Sequence, residues 1–434
     1  MKLQEDLSKR GPIRIAVVGA GLMGSGLVAQ LKTIHNIDVI LWSSRREEGL
    51  LAKAKDVGLK DDGYTFTADA NEAEGLVNEG KMVLTTDNSL AWRLNEVDAI
   101  CDCTGNTEAG ACINENGLNA GKHIISFNVE CDVLLGPYFL KKAKEKGLCY
   151  TGTAGDEPGA IMELYNFATF LGFRVVAAGK GKNNPMNVEA TPATLKDEAE
   201  KKGISPRMLT SFVDATNTMI ELNAVCNATG LLPDEGGCVG MHATIDELSR
   251  KLRTKDLGGE MNRTGTVNFV HGIAPGVFVS VESDEPMIRR EMPYLSMGDG
   301  PNYIFYRPYH LTNIETPLTI AKAVMYNEPT IAPEVGYVAH TVAVAKKDME
   351  AGDAIEGIGS DTCYGTLVEG ETAYEEKLLP IGLIVGETKL ARPVKKGARL
   401  RLDDVVLDRN STLVKLFNRE HDGFYALPKN INMV

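Results

Sequence analysis

The chain has 434 residues, 43% of them hydrophobic, and a formal charge of −13 from 59 acidic against 46 basic residues. That length supplies two or three cores rather than one. The acidic balance excludes nucleic acid and anionic membrane surfaces as expected partners, because the basic runs are short and mixed with acids. The eight cysteines follow no regular spacing, which reads as reduced thiols rather than a disulfide framework. With neither a leader-like segment nor an apolar run of about 18 residues, a cytoplasmic protein is expected.

Residues 13–18, IRIAVV, form a short apolar strand, followed by GAGLMG at 19–24 and a helical pattern in SGLVAQLKTI. Strand, glycine turn and helix together give the glycines a purpose. Gly19 permits the tight turn, Gly21 lets the backbone approach a pyrophosphate, and Gly24 lets the helix press on the sheet. The first helical amides, around Leu22 and Met23, would hold the phosphates. The second strand, DVILW at 38–42, ends in Ser43, Ser44, Arg45 and Arg46. No acid stands there to accept from a free ribose diol, whereas these donors suit a 2′-phosphate, so NADPH is the expected cofactor. A merely polar loop is the plainer alternative. Further strands are expected in MVLTTD (82–87), VDAICDCTG (97–105), KHIISFN (122–128) and LCYTGTAGDEPG (148–159). They place Thr104, Gly105 and Asn128 at the sheet's carboxyl edge, toward the nicotinamide half of the cofactor.

The middle third changes character. FRVVAAGKGKNN (173–184) predicts a strand ending in basic and amide groups, and 209–230 predicts one helix stopped by Gly230. TGTVNFV and GVFVSVES, within 264–283, predict two adjacent strands; YIFYRPYHL (303–311) and a helix in TPLTIAKAVM follow. In the last third, VAHTVAVAKKDMEAGDAIEGIG (338–359) has a faint echo in ETKLARPVKKGARLRLDDVVLD (387–408). The expected fold is therefore α/β. A Rossmann domain spans 1–159, a central α+β domain for substrate binding and dimerisation 160–336, and a small β-rich domain with assembly or lid duty 337–434.

Through VVGAGLMGSG, CDCTGNTEAG, ISFNVE, GTAGDEPGA, GKGKNNP and VKKGARLRLDDV, the chain resembles homoserine-dehydrogenase-like oxidoreductases with a C-terminal SAF domain. Within these it is most similar to the 1-deoxy-D-xylulose 5-phosphate reductoisomerase-like group. That resemblance implies a reduced nicotinamide cofactor, a divalent cation and a phosphorylated sugar. It departs from true homoserine dehydrogenases in two places. Asn128-Val129-Glu130 replaces their Asn-Ala-Lys-like sequence, and DATNTMIEL, with Asp214, Asn217 and Glu221, lacks their helical lysine.

Asp156 and Glu157 follow the last nucleotide-domain strand, and Asn217 and Glu221 lie one helical turn apart. These oxygens can bind Mg²⁺ or Mn²⁺ through Asp156, Glu157 and Glu221, with Asn217 toward the substrate; helix caps and lysine pairs are the alternative. Lys180 and Lys182 can leave one side of an extended segment, with Asn183 and Asn184 beyond, and suit a phosphate, a carboxylate or a developing alkoxide. His242 and His271 are proton-relay candidates, and Arg307 and His310 candidates for the substrate's anionic end. Three readings stay open. One is an NADPH-dependent oxidoreductase of a phosphorylated sugar. Another is an NADP-dependent dehydrogenase of a small hydroxy acid, amino alcohol or branched polyol derivative. The third is a non-catalytic nicotinamide-binding assembly protein. A homodimer or homotetramer is expected.

Overall fold

The apolar runs of the first third become a seven-stranded parallel sheet. In the computed structural model, which describes residues 2–234, 238 and 240–421, its strands are β1 (Ile13–Val18), β2 (Ile37–Ser43), β3 (Tyr64–Phe66), β4 (Met82–Thr85), β5 (Ala99–Asp102), β6 (His123–Ser126) and β7 (Tyr150–Gly152). Their order is β3-β4-β2-β1-β5-β6-β7. The connecting helices are α1 (Lys2–Arg10, before β1), α2 (Leu22–Leu31), α3 (Glu47–Asp56), α4 (Ala70–Asn78), α5 (Leu90–Arg93), α6 (Thr107–Asn119) and α7 (Val129–Glu145). Strand β5 is buried along its whole length, as expected where helices cover both faces of a parallel sheet. Strand order reverses at β1, so the ligand crevice of such a sheet lies beyond the carboxyl ends of β1 and β5. This is a Rossmann domain.

The chain divides into two units, 1–159 with 311–332 and 160–310 with 333–434. In the first, the helix expected in TPLTIAKAVM, α14 (Thr312–Tyr326), adds Ile320, Ala321 and Ala323 to the core beneath the Rossmann sheet.

The second unit holds β8 (Arg174–Gly181), β9 (Leu232–Pro233), β10 (Met241–His242), β11 (Thr266–His271), β12 (Val277–Glu282) and β13 (Tyr303–Arg307), in the order β10-β11-β8-β12-β13, with β9 also on β11. The two strands expected to be adjacent are not. Strand β8 lies between them, parallel to β11 and antiparallel to β12. The long helix expected over 209–230 is also broken. α10 (Pro206–Val213) stops and α11 (Thr216–Thr229) restarts after Ala215, whose φ of 68° is left-handed. The remaining helices here are α8 (Glu157–Phe170, most of it from Ala160 onward), α9 (Lys196–Lys202), α12 (Ile245–Lys251) and α13 (Pro286–Tyr294).

After residue 332 the chain forms β14 (Ala339–Ala345), β15 (Cys363–Glu369), α15 (Gly370–Glu375), β16 (Lys389–Leu390), β17 (Val405–Val406) and α16 (Thr412–His421). Residues 422–434 of the expected C-terminal domain lie outside the described residues. The two echoing segments pair with each other: Val344 bridges Arg399, Met349 bridges Val394 and Ala354 bridges Lys389, all antiparallel. Helix α11 sits between this module and the central sheet. Met219, Leu222 and Val225 share one core with Val267 and Phe269 of β11, Val279 of β12, and Ala339 and Leu367 of the β14–β15 pair. Among the described residues no helix is long and apolar enough to cross a membrane.

Candidate functional site

The nucleotide face is built by close packing at the end of β1. Gly19 has φ 112°, and a Cβ there would meet the Cys103 carbonyl oxygen at 2.6 Å. A Cβ on Gly24 would lie 2.1 Å from the Gly19 oxygen. A side chain at either position would push the turn off β5. Gly21, the N-cap of α2, differs: among the described residues nothing lies within 4 Å of its would-be Cβ. Leu22 is exposed and Met23 half-buried beside it. The α2 amides therefore open onto space, which fits a pyrophosphate drawn to a helix N-terminus.

At the end of β2, Ser43 is fully buried and its Oγ has no hydrogen-bond partner among the described residues, an arrangement that costs free energy unless a ligand supplies one. Ser44 is half-buried, and Arg45 and Arg46 are exposed before α3. A cleft there is lined by Arg46, Glu47, Glu48, Gly49 and Leu51.

Asn128 is fully buried. Its Nδ2 reaches Asp102 Oδ2 (3.0 Å), the Asn106 carbonyl (2.9 Å) and Thr104 Oγ1 (3.2 Å), while its Oδ1 accepts from the Cys131 amide (3.1 Å). This side chain fixes the Thr104–Gly105–Asn106 loop, in which Thr104 is half-buried and Gly105 exposed. The buried acid Asp102 was not singled out from the sequence. It accepts from the Thr104 amide (3.0 Å) and hydroxyl (2.6 Å). Burial raises its pKa, against the lowering effect of its bonds to Thr104 and Asn128. Its only sequence signal is an acid closing an apolar strand.

In the second unit, Lys180 and Lys182 follow one another along β8 and just past it, both buried. Lys180 pairs with Glu221, whose other oxygen accepts from Asn217 Nδ2 (2.6 Å). Lys182 Nζ donates to the Phe212 carbonyl (2.6 Å). Burial pushes its pKa down to about 8, and Lys180 adds to the effect. His242 and His271 occupy paired positions on β10 and β11 and stack with centroids 4.7 Å apart. Burial, then His242 and Lys182, lower the His271 pKa. Asn183 is exposed beyond the strand, and His310 is half-buried. Arg307 holds Glu163 at 2.8 Å and stacks over the Tyr309 ring.

Glu157 opens α8, whose body packs in the core of this second unit through Ala160, Ile161 and Ala168. Asp156 and Glu157 stand at the end of the first unit's main segment and Glu221 in the second unit, and each offers a carboxylate oxygen. An all-oxygen set of this kind suits a hard divalent ion.

Residues 155–316 match the family model described as the oxidoreductase DRL catalytic domain. That stretch carries Asp156, Glu157, Lys180, Lys182, Asn217 and Glu221. The chain has the fold of an NAD(P)-dependent oxidoreductase with a Rossmann cofactor-binding domain. Comparison with curated proteins found no match. Among solved structures the chain is similar to a probable dehydrogenase from Thermotoga maritima, at 14% identity and TM-score 0.42, over 74% of this chain and 92% of that one. It is also similar to a myo-inositol dehydrogenase described from Sinorhizobium meliloti, at 12% identity and TM-score 0.40, over 74% and 92%. A magnesium complex of DOX-P reductoisomerase aligns at 16% identity and TM-score 0.43, over 73% of this chain and 70% of that one. Likenesses this distant assign no substrate.

Proposed function

We propose that this oxidoreductase uses NADPH to reduce a phosphorylated sugar, in the manner of the 1-deoxy-D-xylulose 5-phosphate reductoisomerase-like group, with Mn²⁺ or Mg²⁺ held by Asp156, Glu157 and Glu221. The supporting observation is that those three carboxylates and two buried lysines, one of them paired with Glu221, fall within the stretch that matches the DRL catalytic model. NADPH, when bound, would supply a hydride, and a cation held by those three acids would supply Lewis-acid polarisation of a carbonyl. The chain's own residues do the rest. Lys180 and Asn217 fix the Glu221 carboxylate. Lys182 gives a proton to the oxygen on which negative charge develops, and the His242–His271 pair resupplies it. Asn183, Arg307 and His310 take the substrate's anionic end. The eight free thiols suit a reducing cytoplasm, and a homodimer or homotetramer completes this reading.

The test is NADPH consumption with 1-deoxy-D-xylulose 5-phosphate, with and without Mn²⁺, the product identified by mass and NMR. A metal-dependent branched polyol phosphate is the expected result. No turnover with tight NADPH binding retained would defeat the phosphosugar reading in favour of a dehydrogenase of a small hydroxy acid, amino alcohol or branched polyol derivative.

Cofactor choice is tested separately. Arg45→Asp replaces a donor to the 2′-phosphate with a repelling charge and is expected to weaken NADPH binding by about 10- to 100-fold while leaving NADH nearly unchanged. Equal losses for both cofactors in a fluorescence titration would remove Arg45 from the 2′-phosphate site.

A further inference from the structure

Helix α11 carries Asn217 and Glu221 on one face and a second set of polar residues on another. Twelve of its fourteen residues are buried, so each polar side chain inside needs a partner. The partners of the second set come from the C-terminal module. Thr216 Oγ1 accepts from the Gly365 amide on β15 (2.8 Å), Asn223 lies 3.3 Å from Thr341 on β14, and Asn227 Oδ1 accepts from the Val338 (3.0 Å) and Ala339 (3.2 Å) amides.

The strongest of these links is at the helix start. Lys346, just past β14 and 5% exposed, donates to Asp214 Oδ2 (2.8 Å), the Ala190 carbonyl (2.7 Å) and the Ser360 carbonyl (2.7 Å). All three ammonium protons are thus placed. Asp214 is fully buried, and its other oxygen accepts from the Thr216 amide (2.9 Å). Between Asp214 and Thr216 stands Ala215, also fully buried, with φ 68°. An alanine held left-handed is a strained turn that persists only where its surroundings impose it.

We propose that Lys346 is a positioning residue. Through Asp214 it clamps the left-handed turn at Ala215 and so sets the start and rotation of α11, which aims Asn217 and Glu221. The C-terminal module then acts as a buttress for the catalytic helix rather than as a lid. The effect on metal binding rests on the cation site proposed above; the effect on the helix does not.

The double variant Asp214→Asn with Lys346→Met removes both charges together and leaves no buried charge alone. In the full-length protein it is expected to bind NADPH normally and Mn²⁺ about 10- to 100-fold more weakly, the range seen when residues supporting a ligand are lost. Amide hydrogen exchange should quicken over 216–221. Leu400→Ala, a core truncation elsewhere in the module, should lower Tm while leaving Mn²⁺ affinity and that local exchange unchanged. Wild-type Mn²⁺ affinity and exchange in the folded double variant would overturn the proposal, as would an equal loss of Mn²⁺ affinity in Leu400→Ala. If wild type binds no Mn²⁺, or Glu221→Gln binds it as well as wild type, the cation reading fails. Exchange then decides alone: faster exchange confined to 216–221 supports the clamp, and uniform loosening rejects it. Should the double variant not fold, Asp214→Asn alone, which keeps the side chain's shape and weakens its tie to Lys346, takes its place with the same readouts.

Discussion

Glu221→Gln is expected to lower Mn²⁺-dependent turnover by about a thousandfold while leaving NADPH affinity intact. The size follows from losing several kcal/mol of transition-state charge stabilisation at about 1.4 kcal/mol per tenfold. Glutamine keeps the shape of Glu221 and one carbonyl oxygen for Asn217, so packing changes little, but it removes one of the three charges that would hold the cation. The same substitution removes the carboxylate that pairs with buried Lys180. Removing one partner of a buried pair typically costs about 3–5 kcal/mol, so a fall in Tm accompanies the loss and has to be separated from it. Lys180→Met with Glu221→Gln does so. That double variant should regain thermal stability without regaining Mn²⁺ dependence. If stability and turnover return together, Glu221 serves the lysine rather than a metal.

Much of the nucleotide domain was legible in the sequence because its signals are local. A parallel strand buried on both faces must be a short apolar run, and IRIAVV and VDAICD could be little else. The glycine turn was equally local: positions 19 and 24 admit no side chain because the next strand and the turn itself lie against them. Strand β3 was missed because Tyr64–Phe66 is a three-residue edge strand, only half-buried along its length, too short to show a period. Helix α1 was missed because its sequence, KLQEDLSKR, buries Leu7 alone.

The second unit hid what depends on long-range pairing. Nothing in TGTVNFV or GVFVSVES announces that β8, more than eighty residues earlier for the nearer partner positions, slides between them. The break in the 209–230 helix was invisible for a related reason. Alanine favours helix, yet Ala215 leaves it beside Asp214, which Lys346 holds from 132 residues away. Asp156, Glu157, Asn217 and Glu221 were found as candidates from strand-end position and helical spacing. The clamp was not, since its lysine lies in KKDME, which reads as a solvated turn, yet Lys346 is buried while its neighbour Lys347 is exposed.

Lys182→Met is expected to lower kcat by about 10²- to 10⁴-fold, the usual contribution of a positioned general acid, and to remove a pH dependence. With Lys182 held near pKa 8 by burial and by Lys180, reduction by the wild type should proceed well below pH 8 and fall as pH rises through it, because the proton donor is lost. The variant's residual rate should be flat across that range. Stability supplies an independent check with the opposite trend. The folded pKa lies below the unfolded value of 10.5, so between about pH 8 and 10.5 the unfolded chain binds more protons and stability contributed by this group rises with pH. Below pH 8 the buried charge carries its full penalty, of order 3 kcal/mol, and Lys182→Met should be more stable than wild type there. That advantage should fade toward pH 10.5 in denaturant titrations. A variant that loses turnover yet keeps the wild-type pH profile would move the proton donor to another group, with the His242–His271 pair the next to change.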